Sequence, residues 1–316
     1  MLQGRVLKST GSWYHVLTDG GDHYQARIVG KLRIDDLKLT NPVGVGDMVE
    51  LEIEHEGDKL ALIKSVLPRK NYIVRQSPRK KLHLHLLASN IDQAFLIVTI
   101  IHPNLKQGFI DRFLLMTEPH DIPVTIIFNK ADLYTKKQTA MFTYLESIYL
   151  KLEYSVLLTS CITKLGLDEV KQSLQGKTTL ISGQSGVGKS SIINAVLPGL
   201  GIHTKELSDY SGKGQHATSY AEMHSLSSGG FIIDTPGIKT LSFNNLEPMD
   251  VAHNFREFFE RSNHCKFYNC THREEPKCAV KSAIEKGEIS ELRYLNYLKI
   301  LEEIEEQNYW LRHTEM

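Results

Sequence analysis

The stretch Gly183-Gln184-Ser185-Gly186-Val187-Gly188-Lys189-Ser190-Ser191 constrains the fold most, because it needs a strand before it and a helix after it. Both are legible. Thr178 to Ser182 (TTLIS) reads as a strand, and Lys189 to Leu197 reads as a helix closed by Pro198-Gly199. The pattern G-x-x-x-x-G-K-[ST] has a physical rationale. Gly183 and Gly188 let the backbone turn so that successive N–H groups point inward around phosphate oxygens. Lys189 can reach terminal phosphates, and the Ser190 hydroxyl can meet Mg²⁺. The helix N-terminus adds partial positive charge. An ordinary Gly-rich strand-to-helix turn is the plainer alternative.

About fifty residues later, Asp234-Thr235-Pro236-Gly237 follows the strand-like FII. Asp234 at a strand end can hold Mg²⁺ through water, and Gly237 can offer its N–H to a γ-phosphate. Alone, DTPG is also a simple turn with Pro at its second position. Between the two motifs lies DYSGKGQHATSY (209–220), polar and Gly-rich. It reads as a switch that orders around Mg²⁺ and γ-phosphate, or as a plain linker. Thr218 is the candidate for a second hydroxyl on Mg²⁺.

Upstream, FNKAD (128–132) ends the apolar run PVTIIF. The Asp132 carboxylate only accepts hydrogen bonds, which suits the N1–H and 2-amino group of guanine and not the edge of adenine. Asn129 can reach the O6/N7 edge, and the Lys130 stem can lie over the ring. Thr159-Ser160-Cys161 follows the strand YSVLL and suits a further guanine contact through the Cys161 N–H. NKAD alone is a weak signal; followed by TSC, phosphate loop, polar loop and DTPG, it is a strong one. The order is that of a GTPase cut and rejoined elsewhere, which close chain termini permit.

The rest of the chain divides around this unit. Residues 1–67 contain five short β runs separated by STG, DGGD and NPVGVG, with Val49, Leu51 and Ile53 alternating with Glu50, Glu52 and Glu54. Five strands suggest an OB-like β-barrel, serving nucleic acid or only docking. Residues 68–84 form a basic linker in which Arg69, Lys70, Arg75, Arg79, Lys80 and Lys81 meet no acid before 82. It is either a solvated spacer or a contact for a phosphate backbone. Residues 85–244 alternate apolar strands with helix-like segments, the signature of an α/β doubly wound sheet. Residues 245–316 lose the strand signal and end in an amphipathic helix. There Ser290 is the candidate N-cap, and Leu292, Leu295, Leu298, Leu301 and Ile304 form an apolar stripe for core packing.

Within that last region, Cys265, Cys270, His272 and Cys278 stand as C-x4-C-x-H-x5-C. Three thiolates and one imidazole fit a closed tetrahedral Zn²⁺ site, which is structural and not catalytic. His264 is the competing imidazole. Clustered cysteines also suit a reducing compartment better than a disulfide framework. Lys+Arg and Asp+Glu both number 37, so net charge selects no partner. No apolar run approaches a membrane span, and the N-terminus lacks a signal-peptide core. A soluble cytoplasmic protein is expected.

By these motifs and their order the chain resembles the circularly permuted, ribosome-associated GTPases known as small ribosomal subunit-dependent GTPase A. The resemblance covers barrel, permuted GTPase domain and zinc-binding tail, including Glu275-Pro276 after the third metal residue. It implies a P-loop GTPase that takes GTP with Mg²⁺, carries one structural Zn²⁺ and acts late in maturation of the small ribosomal subunit. The implied partners are that subunit and its rRNA, with no membrane or DNA, and a monomer is expected. Ile238 stands where many GTPases have a water-orienting Gln, so His216, matching a family histidine, is the candidate catalytic residue. Ala217 departs from the threonine run that usually follows that histidine, which leaves open which hydroxyl meets Mg²⁺. A nucleotide-gated RNA-binding module with incidental hydrolysis is the alternative. A P-loop ATPase or small-molecule kinase is a third, which NKAD opposes.

Overall fold

The computed structural model describes residues 2–28, 41–76, 84–106, 108–201, 221–235 and 246–313. The first strands are β1 (Leu2–Ser9), β2 (Tyr14–Thr18), β3 (His23–Ile28), β4 (Met48–His55) and β5 (Leu60–Val66). They close in the order β1-β2-β3-β5-β4, with β4 returning to β1. Inward side chains of Val6, Val16, Tyr24, Val49, Leu51 and Ile63 fill the barrel. Ile53 departs from the expected alternation and is 42% exposed. The pairing of β4 with β5 slips between Ile53 and His55, and β4 is exposed from Glu52 onward.

The segment read as a basic linker is partly a sheet: β6 (Tyr72–Gln76) pairs antiparallel with β7 (Leu84–Ser89). Arg69 is also not free for phosphate. Its Nε and Nη2 donate to the two oxygens of buried Asp47 at 2.7 and 2.8 Å, and Nη2 donates to Pro42 O. Ser89 Oγ donates to the same carboxylate at 2.5 Å. This ion pair ties barrel to hairpin. Lys70 pairs with Asp92 at 3.3 Å, whereas Arg79, Lys80 and Lys81 lie outside the described residues.

The α/β unit then runs β8 (Gln93–Val98), α1 (Phe109–Thr117), β9 (Val124–Phe128), α2 (Lys136–Lys151), β10 (Ser155–Leu158) and α3 (Leu167–Ser173). It continues through β11 (Thr178–Gly183), α4 (Lys189–Val196), β12 (Glu222–Ser225) and β13 (Phe231–Asp234). Strands β10-β9-β8-β11-β13 are parallel, and β12 adds an antiparallel strand. Every residue of β8 and β11 is buried, as befits central strands covered on both faces. Ala94, Leu96 and Val98 pack toward α1 and α2, while Phe95 and Ile97 pack toward α3 and α4. Adjacent β8 and β11 thus send their helices to opposite faces, which opens a crevice at their carboxyl ends. On its outer edge β12 pairs with β1 at Glu222↔Lys8, so sheet and barrel form one continuous hydrogen-bonded series.

The C-terminal part comprises α5 (Pro248–His253), α6 (Arg256–Ser262), α7 (Ala279–Glu285) and α8 (Glu291–His313). Phe255, Phe258 and Tyr297 pack mutually within 5.2 Å between ring centroids, Tyr297 edge-on to both phenylalanines. The buried face of α8 includes part of the expected stripe: Leu301 and Ile304 are buried, and Leu292 and Leu298 pack partly buried against the core. It also takes in Arg293, Asn296, Tyr297 and Ile300, whereas Leu295 is 44% exposed. Arg293 bridges Glu257 of α6 and Asp111 of α1, at 2.8 and 2.7 Å, and the Tyr149 hydroxyl donates to Asp111. Ser290 contributes its carbonyl to Tyr294 N–H, but its hydroxyl has no hydrogen-bond partner among the described residues and makes no cap. Among the described residues no helix is long and apolar enough to cross a membrane.

Candidate nucleotide site and metal centre

The crevice is lined by the loop that joins β11 to α4. Gly183 has φ 150° and lies against β8, where a Cβ would stand 2.2 Å from Ile97 O. Gly188 has φ 93°, and a Cβ there would meet Asn129 Nδ2 at 2.4 Å. Both positions therefore exclude a side chain, for conformation and for space. Ser190 stands half-buried in the first turn of α4, beside Ser191. Lys189 Nζ donates to Gly183 O and Gln184 O at 3.0 and 3.1 Å. Burial lowers its pKa, and the Asp234 carboxylate opposes that shift.

Asp234 ends β13 beside β11, in register with Ile181. Burial pushes its carboxyl up to about 6, against the pull of Lys189 and with a smaller push from Glu222. Among the described residues its Oδ1 is buried without a hydrogen-bond partner, as is Ser182 Oγ. Thr235 Oγ1 donates to Ile181 O at 2.9 Å, which ties the start of DTPG to the phosphate-loop strand. An orphaned carboxylate oxygen near a half-buried lysine fits a site that takes a hydrated cation with an anionic ligand. Gly237, Thr218 and His216 lie outside the described residues, as do Ala217 and Ile238.

The FNKAD loop lies directly against the phosphate loop. Asn129 Nδ2 donates to Val187 O at 2.9 Å, and Asn129 Oδ1 accepts from Thr159 Oγ1 at 3.1 Å. Much of this amide is therefore spent on joining two loops, and one N–H is left for a base edge. Lys130 sits at φ 64°, and its ammonium donates to Gly186 O at 2.7 Å and to His102 O. Its stem thus spans the gap where a base would lie. Ser160 Oγ donates to Asp132 Oδ1 at 2.5 Å and accepts from the Ile162 and Thr163 N–H groups. This fixes the exposed carboxylate, with half-buried Cys161 alongside.

Thr159, Thr235, Gly186 and Val187 stand inside the TSC, DTPG and phosphate-loop patterns, but the contacts that tie these loops together were not readable there. Each is made with a partner distant in the chain: Thr159 and Val187 with Asn129, Gly186 with Lys130, and Thr235 with Ile181. The tetrapeptide NKAD was visible, but the contact of its first residue with Val187 spans 58 positions.

The metal-type centre stands apart, between α6 and α7. The donor atoms of Cys265, Cys270, His272 and Cys278 all lie within 4.8 Å of one another, and His264 is not among them. Cys265 and Cys278 sulfurs are 4.0 Å apart, and His272 Nδ1 lies 3.7 and 3.4 Å from them. Such spacings fit sulfur ligands at about 2.3 Å around a tetrahedral ion. Burial pushes the Cys270 thiol up to about 12, so a thiolate here requires a cation for compensation. The loop is braced from α8, whose Tyr294 and Tyr297 hydroxyls donate to His272 O and Thr271 O. Glu275 accepts from Thr271 N, Thr271 Oγ1 and Arg273 N. Burial disfavours its charge, but these donors prevail and bring it down to about 2.

Comparison with known proteins agrees with this architecture. The model of the RsgA GTPase family matches residues 66–244, and that of the RsgA N-terminal domain matches residues 3–61. The small ribosomal subunit biogenesis GTPase RsgA of Phocaeicola vulgatus is 47% identical over 308 residues, 98% of this chain and 99% of that protein. Its counterpart in Christiangramia forsetii is 46% identical over 98% of both chains. The crystal structure of YjeQ from Thermotoga maritima superposes with TM-score 0.76 at 34% identity, covering 96% of this chain and 98% of the other. YloQ, described as a circularly permuted GTPase, gives TM-score 0.72 at 30% identity, covering 97% and 96%. Together with a guanine-type loop that precedes the phosphate loop in the chain yet packs against it in space, these matches place the protein: it belongs to the RsgA GTPase family.

Proposed function

We propose that this GTPase binds GTP with Mg²⁺ in the crevice between the FNKAD and phosphate loops, acts in late maturation of the small ribosomal subunit, and leaves that subunit on hydrolysis. The observation that carries the reading is the contact between the two loops. Asn129 to Val187 and Lys130 to Gly186 set a base-sized gap at a fixed distance from the phosphate cradle.

In this reading Asp132, held by Ser160, accepts from guanine, and Asn129, Lys130 and the Cys161 N–H complete the base site. Residues 183–191 wrap the phosphates, with Lys189 on the terminal ones. Ser190 and Thr218 supply hydroxyls to Mg²⁺, Asp234 holds it through water, and Gly237 meets the γ-phosphate. His216 positions the attacking water. Mg²⁺, when bound, would supply neutralisation of the phosphate charge, and the chain would supply position. The Cys265, Cys270, His272 and Cys278 set holds one structural Zn²⁺.

The small ribosomal subunit and its rRNA are the proposed partners, with the protein acting as a cytoplasmic monomer and without DNA. The support is that relatives matching over nearly the whole chain are small ribosomal subunit biogenesis GTPases. The test is GTP turnover with and without purified small subunits, with ATP and large subunits as controls. Stimulation by small subunits alone is expected. RNA binding without stimulation supports instead a nucleotide-gated RNA-binding module, and equal use of ATP overturns the guanine assignment.

A further inference from the structure

Barrel strand β1 does more than close the barrel. It runs beside edge strand β12, which runs beside β13. The registers align three residues across these strands: Lys8 opposite Glu222, and Glu222 opposite Asp234. Lys8 Nζ lies 3.1 Å from Glu222 Oε2, with each side chain about one-third exposed (34% and 36%). Toward the other end of β1, Arg5 stacks over the Phe231 ring at 4.8 Å and reaches Thr178 Oγ1 at 3.5 Å. The barrel is thus seated along the very strands whose ends form the metal side of the crevice. Residues directly opposite on antiparallel strands point to one face of the sheet, about 5 Å apart. A carboxylate at Glu222 therefore faces the surroundings of Asp234, and the ammonium of Lys8 offsets it.

We propose that Lys8 of the barrel is a positioning residue for the nucleotide site: acting through Glu222, it keeps negative charge from accumulating beside Asp234 and so favours the more highly charged nucleotide, GTP, over GDP. The inference rests on the assignment of Asp234 to the metal side of the site. An ion pair this exposed contributes little to folding. Its value lies in where the charge falls. Without Lys8, the Glu222 carboxylate stands unpaired next to the phosphate–metal region, and the repulsion is larger for a triphosphate than for a diphosphate.

The test uses the full-length protein in four forms: wild type, Lys8→Glu, Glu222→Lys and the charge-swapped double variant. Affinities for a non-hydrolysable GTP analogue and for GDP are measured with Mg²⁺ from about 0.05 to 0.5 M KCl. For Lys8→Glu, the GTP-analogue-to-GDP preference is expected to fall roughly three- to tenfold at low salt and to recover as salt screens the charges. The double variant should return to within about twofold of wild type at low salt, a rescue that follows from charge placement. Lys8→Met, which keeps the stem and removes only the charge, is the fallback should Lys8→Glu disturb the barrel, and should show a smaller shift of the same sign. An unchanged preference in Lys8→Met and Lys8→Glu, or a double variant no better than Lys8→Glu, overturns the inference. Asp234→Asn separates the two levels: if it leaves Mg²⁺-dependent turnover intact, the assignment of Asp234 fails; if it abolishes turnover while the Lys8 variants match wild type, only the role of Lys8 fails.

Discussion

Burial of Asp234 should cost the protein stability, a cost that its proposed place on the metal side of the site would explain. A carboxyl raised from 3.8 to about 6 by burial is destabilising wherever it is ionised in the native state. The penalty is complete above the native value and disappears as pH falls below the unfolded one. In nucleotide-free protein Asp234→Asn is therefore expected to raise stability at pH 7.5 by about 1–3 kcal/mol. It should also remove a gain in stability that wild type shows on acidification between pH 6 and 4. Urea denaturation at the two pH values reads both effects; a less stable variant at pH 7.5 contradicts the account. At the proposed base site, Asp132→Asn exchanges an acceptor for an amide that can also donate. GTP affinity should fall roughly 100-fold, and xanthosine triphosphate, with an oxygen in place of the 2-amino group, should compete better than before. A competition titration decides it. These residues were legible because each stands in a short pattern fixed by backbone geometry. The contacts of Thr159 and Val187 with Asn129 were not, although both residues lie in such patterns, since those contacts depend on the closed fold.

Among the elements, α8 shows where periodicity is incomplete. Of the apolar residues at helical spacing, Leu292, Leu298, Leu301 and Ile304 meet the core and Leu295 does not, because the buried face also takes in Arg293 and Asn296, whose carboxylate partners lie on α1 and α6. Hydrophobic pattern cannot register a buried ion-pair network whose partners lie elsewhere in the chain. Arg293→Ala leaves Asp111 and Glu257 uncompensated and should destabilise the C-terminal packing by about 3–5 kcal/mol. Arg293→Met combined with Asp111→Asn should recover part of that loss, as followed by thermal melting. The zinc-type loop was legible from the spacing of its four candidate ligands alone. Chelation by a high-affinity ligand is expected to increase amide exchange across 264–278 and in α8, since Tyr294 and Tyr297 anchor on that loop. Exchange confined to 264–278 would show the brace to be passive.

For the whole molecule, order carried more information than any single motif: guanine-type loop before phosphate loop is visible without coordinates. How the parts meet was not. Barrel and sheet join through Lys8 and Glu222, 214 residues apart, and through Asp47, Arg69 and Ser89 at the hairpin. At that second junction Gly46 has φ 92°, and a Cβ would stand 2.2 Å from the Ser89 carbonyl. Gly46→Ala should loosen the barrel from the hairpin by more than about 1 kcal/mol, seen as faster proteolysis within 67–90 while the GTPase core melts as before. The Arg293 network, finally, bears on time. Asp111 is synthesised 182 residues before the guanidinium that neutralises it, roughly 10–35 s at the usual pace of translation. Throughout that interval α1 can fold its apolar side onto the sheet, but it holds a carboxylate that has no cation to meet. The last helix made is thus the one that completes the first helix, and a chain halted before Arg293 carries an unsettled charge into its core.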